Sequence, residues 1–85
     1  MIEILVIDDD RGILDVVRKA LSREGYSVTV LDDPLKLDEG QLGRYQLILL
    51  DVMMPGTDGF SLCRRIRDQV DCPILFLTAK TEEKD

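Results

Sequence analysis

Histidine is absent from this 85-residue chain, and cysteine occurs only as Cys63 and Cys72. Their spacing fits no zinc or redox motif, and without histidine a zinc site has too few soft ligands. Both cysteines are expected to be ordinary buried thiols. Long apolar runs are missing too. The longest, Leu47 to Leu50, is far too short to cross a bilayer. No positively charged stretch precedes an apolar core at the N-terminus, so no signal peptide is expected and a cytoplasmic location follows by default. Basic charge is in deficit. The formal net charge of −6 repels nucleic acid, so no direct nucleic-acid binding is expected of this chain. Linkers, repeats and low-complexity segments are also lacking. With 45% hydrophobic and 33% charged residues, the composition is that of a soluble globular protein and not of a disordered one. A chain this short forms one domain or part of one, and buries only about 60–65% of its unfolded surface.

What is present alternates. Ile2 to Ile7 reads IEILVI, a short run suited to a strand buried on both faces. Asp8, Asp9 and Asp10 stop it. From Arg11 the apolar residues Ile13, Leu14, Val17, Ala20 and Leu21 fall at helical spacing, with Asp10 as N-cap and Gly25 as the C-terminal stop. Tyr26 to Leu31 reads as a second strand. Asp32 to Tyr45, broken by Pro34, Gly40 and Gly43, predicts a short, imperfect helix. Gln46 to Leu50 is a third strand, ending at Asp51, and the loop VMMPGTDG follows. Leu62, Cys63, Ile66 and Val70 share one face of a helix over Phe60 to Val70. Pro73 to Leu77 is a fourth strand, with Thr78 at its end. The order βαβαβαβ predicts a parallel sheet with right-handed crossovers.

In such a sheet, ligands sit beyond the carboxyl ends of the strands. Asp8 and Asp9 follow the first strand, and Asp51 ends the third. If the two strands are neighbours, three carboxylates converge. Their mutual repulsion is relieved by a hard divalent cation, and Mg2+ takes carboxylate oxygens, waters and a phosphate. A carboxylate is also a nucleophile that can form an acyl phosphate. The arrangement therefore suits phosphoryl transfer to Asp51, with Thr78 offering a hydroxyl to a phosphoryl oxygen. Asp10 is read as a helix cap, Met54 as a packing residue, and Arg64, Arg65 and Arg67 as a solvated helix face.

The segments ILVIDDD, LILLDVMMPGTDG and PILFLTAK resemble three successive motif blocks of response-regulator receiver domains. They stand in the family's order, and DxMMPGxDG is the most specific of them. The tail TAKTEEKD resembles receivers joined to winged-helix DNA-binding domains. The resemblance implies a flavodoxin-like α/β fold with strand order 2-1-3-4, lacking the fifth strand and the last two helices, so that residues 1–85 form a partial receiver. It implies that Asp51 is the phosphoacceptor and that Asp9 binds Mg2+ directly. Asp8 then acts beside Asp9 through water, and Met53 completes the metal site with its backbone carbonyl. Thr78 is the switch hydroxyl, while Pro55 and Gly59 shape the loop. The implied partners are a sensor histidine kinase as phosphoryl donor and an output domain that binds DNA. Such a receiver assists its own phosphorylation and is not a stand-alone enzyme.

Two other readings are open at this point. Asp8, Asp10 and Gly12 give D-x-D-x-G, which partly resembles the haloacid-dehalogenase phosphatases, although Arg11-Gly12 replaces Gly-Thr and the MMPGTDG block is left over. The chain is otherwise a binding or scaffold fragment without phosphorylation. A complete receiver carries a lysine at the end of its fifth strand, and Lys80 and Lys84 do not match it. Impaired phosphorylation is therefore expected of the 85-residue chain. An open fourth-strand edge further predicts self-association.

Overall fold

The computed structural model describes residues 1–54 and 56–77. Strand β1 (Glu3–Ile7) leads into helix α1 (Arg11–Arg23), then strand β2 (Ser27–Leu31) and strand β3 (Leu47–Asp51). A hairpin of two short strands, β4 (Met53–Met54) and β5 (Thr57–Asp58), precedes helix α2 (Gly59–Ile66), and strand β6 (Ile74–Leu77) follows. The main sheet is parallel in the order β2-β1-β3-β6. With β6 as the fourth long strand, this is the order 2-1-3-4 expected from the sequence. The β4-β5 pair is antiparallel and was not foreseen, since VMMPGTDG reads as plain loop.

Side-chain alternation along the strands divides the core into two layers. Leu5, Ile7, Ile48 and Leu50 pack with Leu62, Cys63 and Ile66 of α2, and Ile74 and Phe76 join them. Ile4 and Val6 point the other way, onto Leu14, Val17 and Leu21 of α1. The two helices thus cover opposite faces. Ile4 to Ile7 are all buried, as a central strand between two layers requires.

The ends of α1 follow sequence chemistry. Asp10 caps it, its Oδ1 accepting from the N–H groups of Gly12 at 2.9 Å and Ile13 at 3.2 Å. Gly25, just beyond the last turn, takes φ +92°, a conformation that favours glycine.

The short, imperfect helix expected within Asp32–Tyr45 takes a 3-10 form and is split in two. The segment makes two 3-10 turns, Pro34–Lys36 and Glu39–Arg44. Asp33 caps the first through Leu35 N–H, and Asp38 caps the second through Gly40 N–H. Two local caps and two glycines favour separate turns over one long helix. Leu42 is driven fully into the core, and Pro34 is buried as well. The helix expected over Phe60–Val70 stops at Ile66 and tightens into a 3-10 turn at Arg67–Gln69, a common way to close a helix.

Candidate functional site

Register brings the acidic residues together. Ile7 of β1 pairs with Leu50 of β3, so the next residues, Asp8 and Asp51, stand side by side at the carboxyl ends of the two strands. Asp9 follows, and one carboxylate oxygen from each of the three lies within 4.8 Å of the others. The neighbouring strands that the convergence required are thus in place.

The three are not equivalent. Asp8 is buried, with 1% of its surface exposed, whereas Asp9 is exposed and Asp51 half-buried. Asp8 Oδ1 accepts from Asp10 N–H at 2.8 Å, and its Oδ2 has no hydrogen-bond partner among the described residues. Burial pushes the Asp8 carboxyl from its ordinary 3.8 up to about 6, with Asp51, Asp9 and Asp10 adding repulsion against the lowering effect of the Asp10 N–H. A buried carboxylate oxygen without a donor, facing two other carboxylates, fits a hard cation: all three donors are oxygens, and neither cysteine is among them.

Asp51 ends β3, where it pairs with Leu77 of β6. The chain then runs out through the β4-β5 hairpin, Met53 opposite Asp58 and Met54 opposite Thr57, and returns to α2. Gly56 takes φ +80° near the hairpin tip. Gly59 N–H donates to Val52 O at 2.8 Å and closes the neck of this excursion. Asp58 caps α2, its Oδ1 accepting from Ser61 N–H at 2.7 Å. The Met53 side chain is exposed and Met54 is buried in the core, as a packing residue should be.

Of the other singled-out residues, Thr78, Pro55, Lys80 and Lys84 lie outside the described residues. Asp10 is engaged as the α1 cap. Arg64 and Arg65 face solvent, Arg65 pairing with Glu39 at 2.9 Å. Cys63 is buried, but Cys72 is only half-buried, so the expectation of two buried thiols holds for one. Burial still pushes the Cys72 thiol up. What sequence reading missed is how tightly Gly59 abuts Asp51. A Cβ built at Gly59 would collide with the carbonyl oxygen of Asp51 and lie 3.1 Å from the Asp51 carbonyl carbon and from Val52 Cα. The DG pair gives a hint of that contact, but only the fold supplies the neighbour.

The family model described as "Response regulator receiver domain" matches residues 4–85. The chain belongs to the response-regulator receiver family. Among curated relatives, the transcriptional regulatory protein SpaR of Bacillus subtilis is 51% identical over 84 residues, covering 99% of this chain and 38% of SpaR. ResD, a transcriptional regulatory protein of the same species, is 45% identical over 82 residues, covering 95% of this chain and 34% of ResD. The chain therefore spans well under two thirds of the length of these relatives. Among solved structures, a two-component response regulator from Clostridium difficile superposes with a TM-score of 0.86 at 27% identity, covering 98% of this chain and 69% of that one. The response regulator TrrA from Thermotoga maritima, solved in complex with Mg2+-BeF, gives a TM-score of 0.81 at 34% identity, covering 95% of this chain and 72% of that one. A structure of TrrA in complex with the histidine kinase ThkA gives 0.83 at 32% identity, covering all of this chain and 75% of that one. The fold is the flavodoxin-like receiver fold, and the general role of such a receiver is that of phosphoacceptor in two-component signalling. The phosphatase reading loses its residues as well as its family. Asp10, the second acid of its D-x-D pattern, spends its carboxylate on the α1 cap. Among the described residues no helix is long and apolar enough to cross a membrane.

Proposed function

We propose that this receiver takes a phosphoryl group onto the Asp51 carboxylate. The observation that carries the reading is the meeting of Asp8, Asp9 and Asp51 within 4.8 Å at the carboxyl ends of two adjacent parallel strands. Asp51 is the member that ends the strand ahead of the loop. One of its oxygens attacks phosphorus in line, an acyl phosphate forms, and the bond to the donor's leaving atom breaks. Asp9 and Asp51, with the backbone carbonyl of Met53, would hold Mg2+, and Asp8 would act through water from its buried position. When bound, the ion neutralises charge on the equatorial phosphoryl oxygens. Asp8 and Asp9 add their own negative charge at that place, so they would serve as donors to the cation and not as partners of the phosphoryl oxygens. Asp10 orients Asp8 through its N–H and fixes the start of α1. Thr78, one residue beyond β6, is proposed as the switch hydroxyl.

The donor is proposed to be a sensor histidine kinase, consistent with the TrrA–ThkA complex. The reader of the phosphorylated surface is proposed to be an output domain, DNA-binding by analogy with relatives named as transcriptional regulators. A cytoplasmic setting fits both partners. The added charge, about −1.5 to −2 at neutral pH, would bias the surface that the output domain meets.

The test is direct. The chain is incubated with acetyl phosphate and Mg2+ and followed by intact mass, beside Asp51→Asn. Wild type should gain phosphoryl mass, incompletely in this 85-residue chain, and the variant none. Equal gain in both would remove Asp51 as the acceptor.

A further inference from the structure

Asp51 sits at a joint with little freedom on either side. Behind it, β3 is paired to β1 and to β6, the last rung being Asp51 with Leu77. Ahead of it, α2 is fixed to the sheet by buried Leu62, Cys63 and Ile66. The first residue of that helix is Gly59. Its Cα faces the Asp51–Val52 peptide so closely that a Cβ would overlap the Asp51 carbonyl oxygen, and the three atoms nearest to that Cβ are all backbone. No side chain can swing aside to make room. The Gly59 N–H to Val52 O bond, 2.8 Å long, holds the same two segments together.

We propose that Gly59 is a positioning residue for the acceptor site. Its bare Cα lets the start of α2 act as a backstop, which sets the place of the Asp51–Val52 peptide. That peptide carries the Asp51 carboxylate on one side and leads to the Met53 carbonyl on the other. A methyl at Gly59 has to displace a packed helix, a strand paired on both edges, or the peptide between them. The peptide is the soft element. Its displacement moves Asp51 relative to Asp8 and Asp9 while leaving both core layers intact. This inference rests on the metal-assisted acceptor role proposed for Asp51.

The experiment is a Mg2+ titration of the 85-residue chain, read from the amide NMR signals of Asp9 and Asp10. Gly59→Ala is compared with Gly43→Ala, where an added Cβ meets nothing within 4 Å, and with Ile66→Val, which loosens the packing of α2 in the core. Gly59→Ala should weaken Mg2+ binding by about tenfold or more, the range seen when an outer-shell support of a metal ligand is lost. It should also slow phosphoryl uptake from acetyl phosphate. Gly43→Ala and Ile66→Val should bind as wild type does, even where Ile66→Val melts earlier. If Gly59→Ala does not fold, the wild-type chain alone decides. Coupling is reciprocal, so Mg2+ should slow hydrogen exchange at the Gly59 amide more than at Cys63 to Ile66 of the same helix. Equal affinity in Gly59→Ala and wild type, equal loss in Ile66→Val, or uniform slowing along α2 overturns the positioning role alone. A wild-type chain with neither Mg2+ shifts nor phosphoryl uptake overturns the acceptor reading, and this inference with it.

Discussion

Asp8 and Asp9 are neighbours in sequence and opposites in environment, one buried beside the end of β3 and one exposed. The acidic run DDD makes their presence plain in the sequence but not their inequality, which depends on β3 lying alongside. The inequality has a pH signature. Asp8 is harder to ionise in the folded chain, about 6 against 3.8, so the folded state holds its proton more tightly than the unfolded state. Without metal, stability therefore falls as pH rises from about 4 to about 6, and the full deficit persists above that. Asp8→Asn cannot ionise and keeps the Asp10 N–H bond. It should match wild type below about pH 4 and exceed it by up to about 3 kcal/mol above pH 6. Urea unfolding at the two pH values in EDTA measures this, and a variant less stable than wild type at pH 7.5 would contradict it. A second residue-scale expectation concerns Asp10. Its side chain serves α1 and not the phosphoryl group, so Asp10→Ala should cost about 1 kcal/mol in unfolding. Its phosphorylation under saturating donor should reach the same extent as in wild type by intact mass.

At the scale of elements, the sequence was most legible where one signal governs. Within IEILVI, Ile4 to Ile7 became the buried stretch of the central strand, and Leu14, Val17 and Leu21 became the inner face of α1, while Ala20 of the same predicted stripe is exposed. It was least legible where several weak signals compete. Between Asp32 and Tyr45 the apolar spacing hints at a helix, while Asp33, Pro34, Asp38 and the glycines each favour a turn, and the turns prevail. The β4-β5 hairpin was hidden for another reason. Two residues per strand leave no alternation to read, and the pairing depends on Gly59 closing the neck. Asp58 links these elements, since it ends β5 and caps α2. Asp58→Ala should lower stability by about 1 kcal/mol. It should also quicken hydrogen exchange at Ser61 more than within α1, and equal exchange in both helices would show that the cap carries no weight.

At the scale of the whole molecule, two equilibria follow. Mg2+ should stabilise the folded chain, because the carboxylates converge only there. At tenfold excess over its dissociation constant the gain is about 1.4 kcal/mol, which raises Tm by roughly 5–10 °C in a domain of this size. The gain should vanish with EDTA. It should fade as pH falls below about 6, where Asp8 takes a proton and the cation loses a counter-charge. Differential scanning calorimetry at pH 5 and pH 7.5 checks both; an unchanged Tm at pH 7.5 would exclude a site that forms with the fold. The second equilibrium is association. Among the described residues β6 has a strand on one side only, and its Leu75 is about half exposed. Such an edge templates pairing with another chain. The 85-residue chain should show a molar mass that rises with concentration in light scattering after size exclusion. A single monomer mass from micromolar to millimolar would refute this.

The pairing of Ile7 with Leu50 also limits how this sequence can change over time. Strand β1 is a ruler whose length places Asp8 and Asp9 at the site. Substitution of one aliphatic residue by another leaves the ruler intact. Insertion or deletion of a single residue in Glu3–Ile7 does not, because a shift of one turns both faces of the strand over. Asp8 would then trade its pocket for solvent, and Asp9 or Ile7 would take its place. Lineages that keep the three converging carboxylates should therefore vary freely in the lettering of this strand and hardly at all in its length.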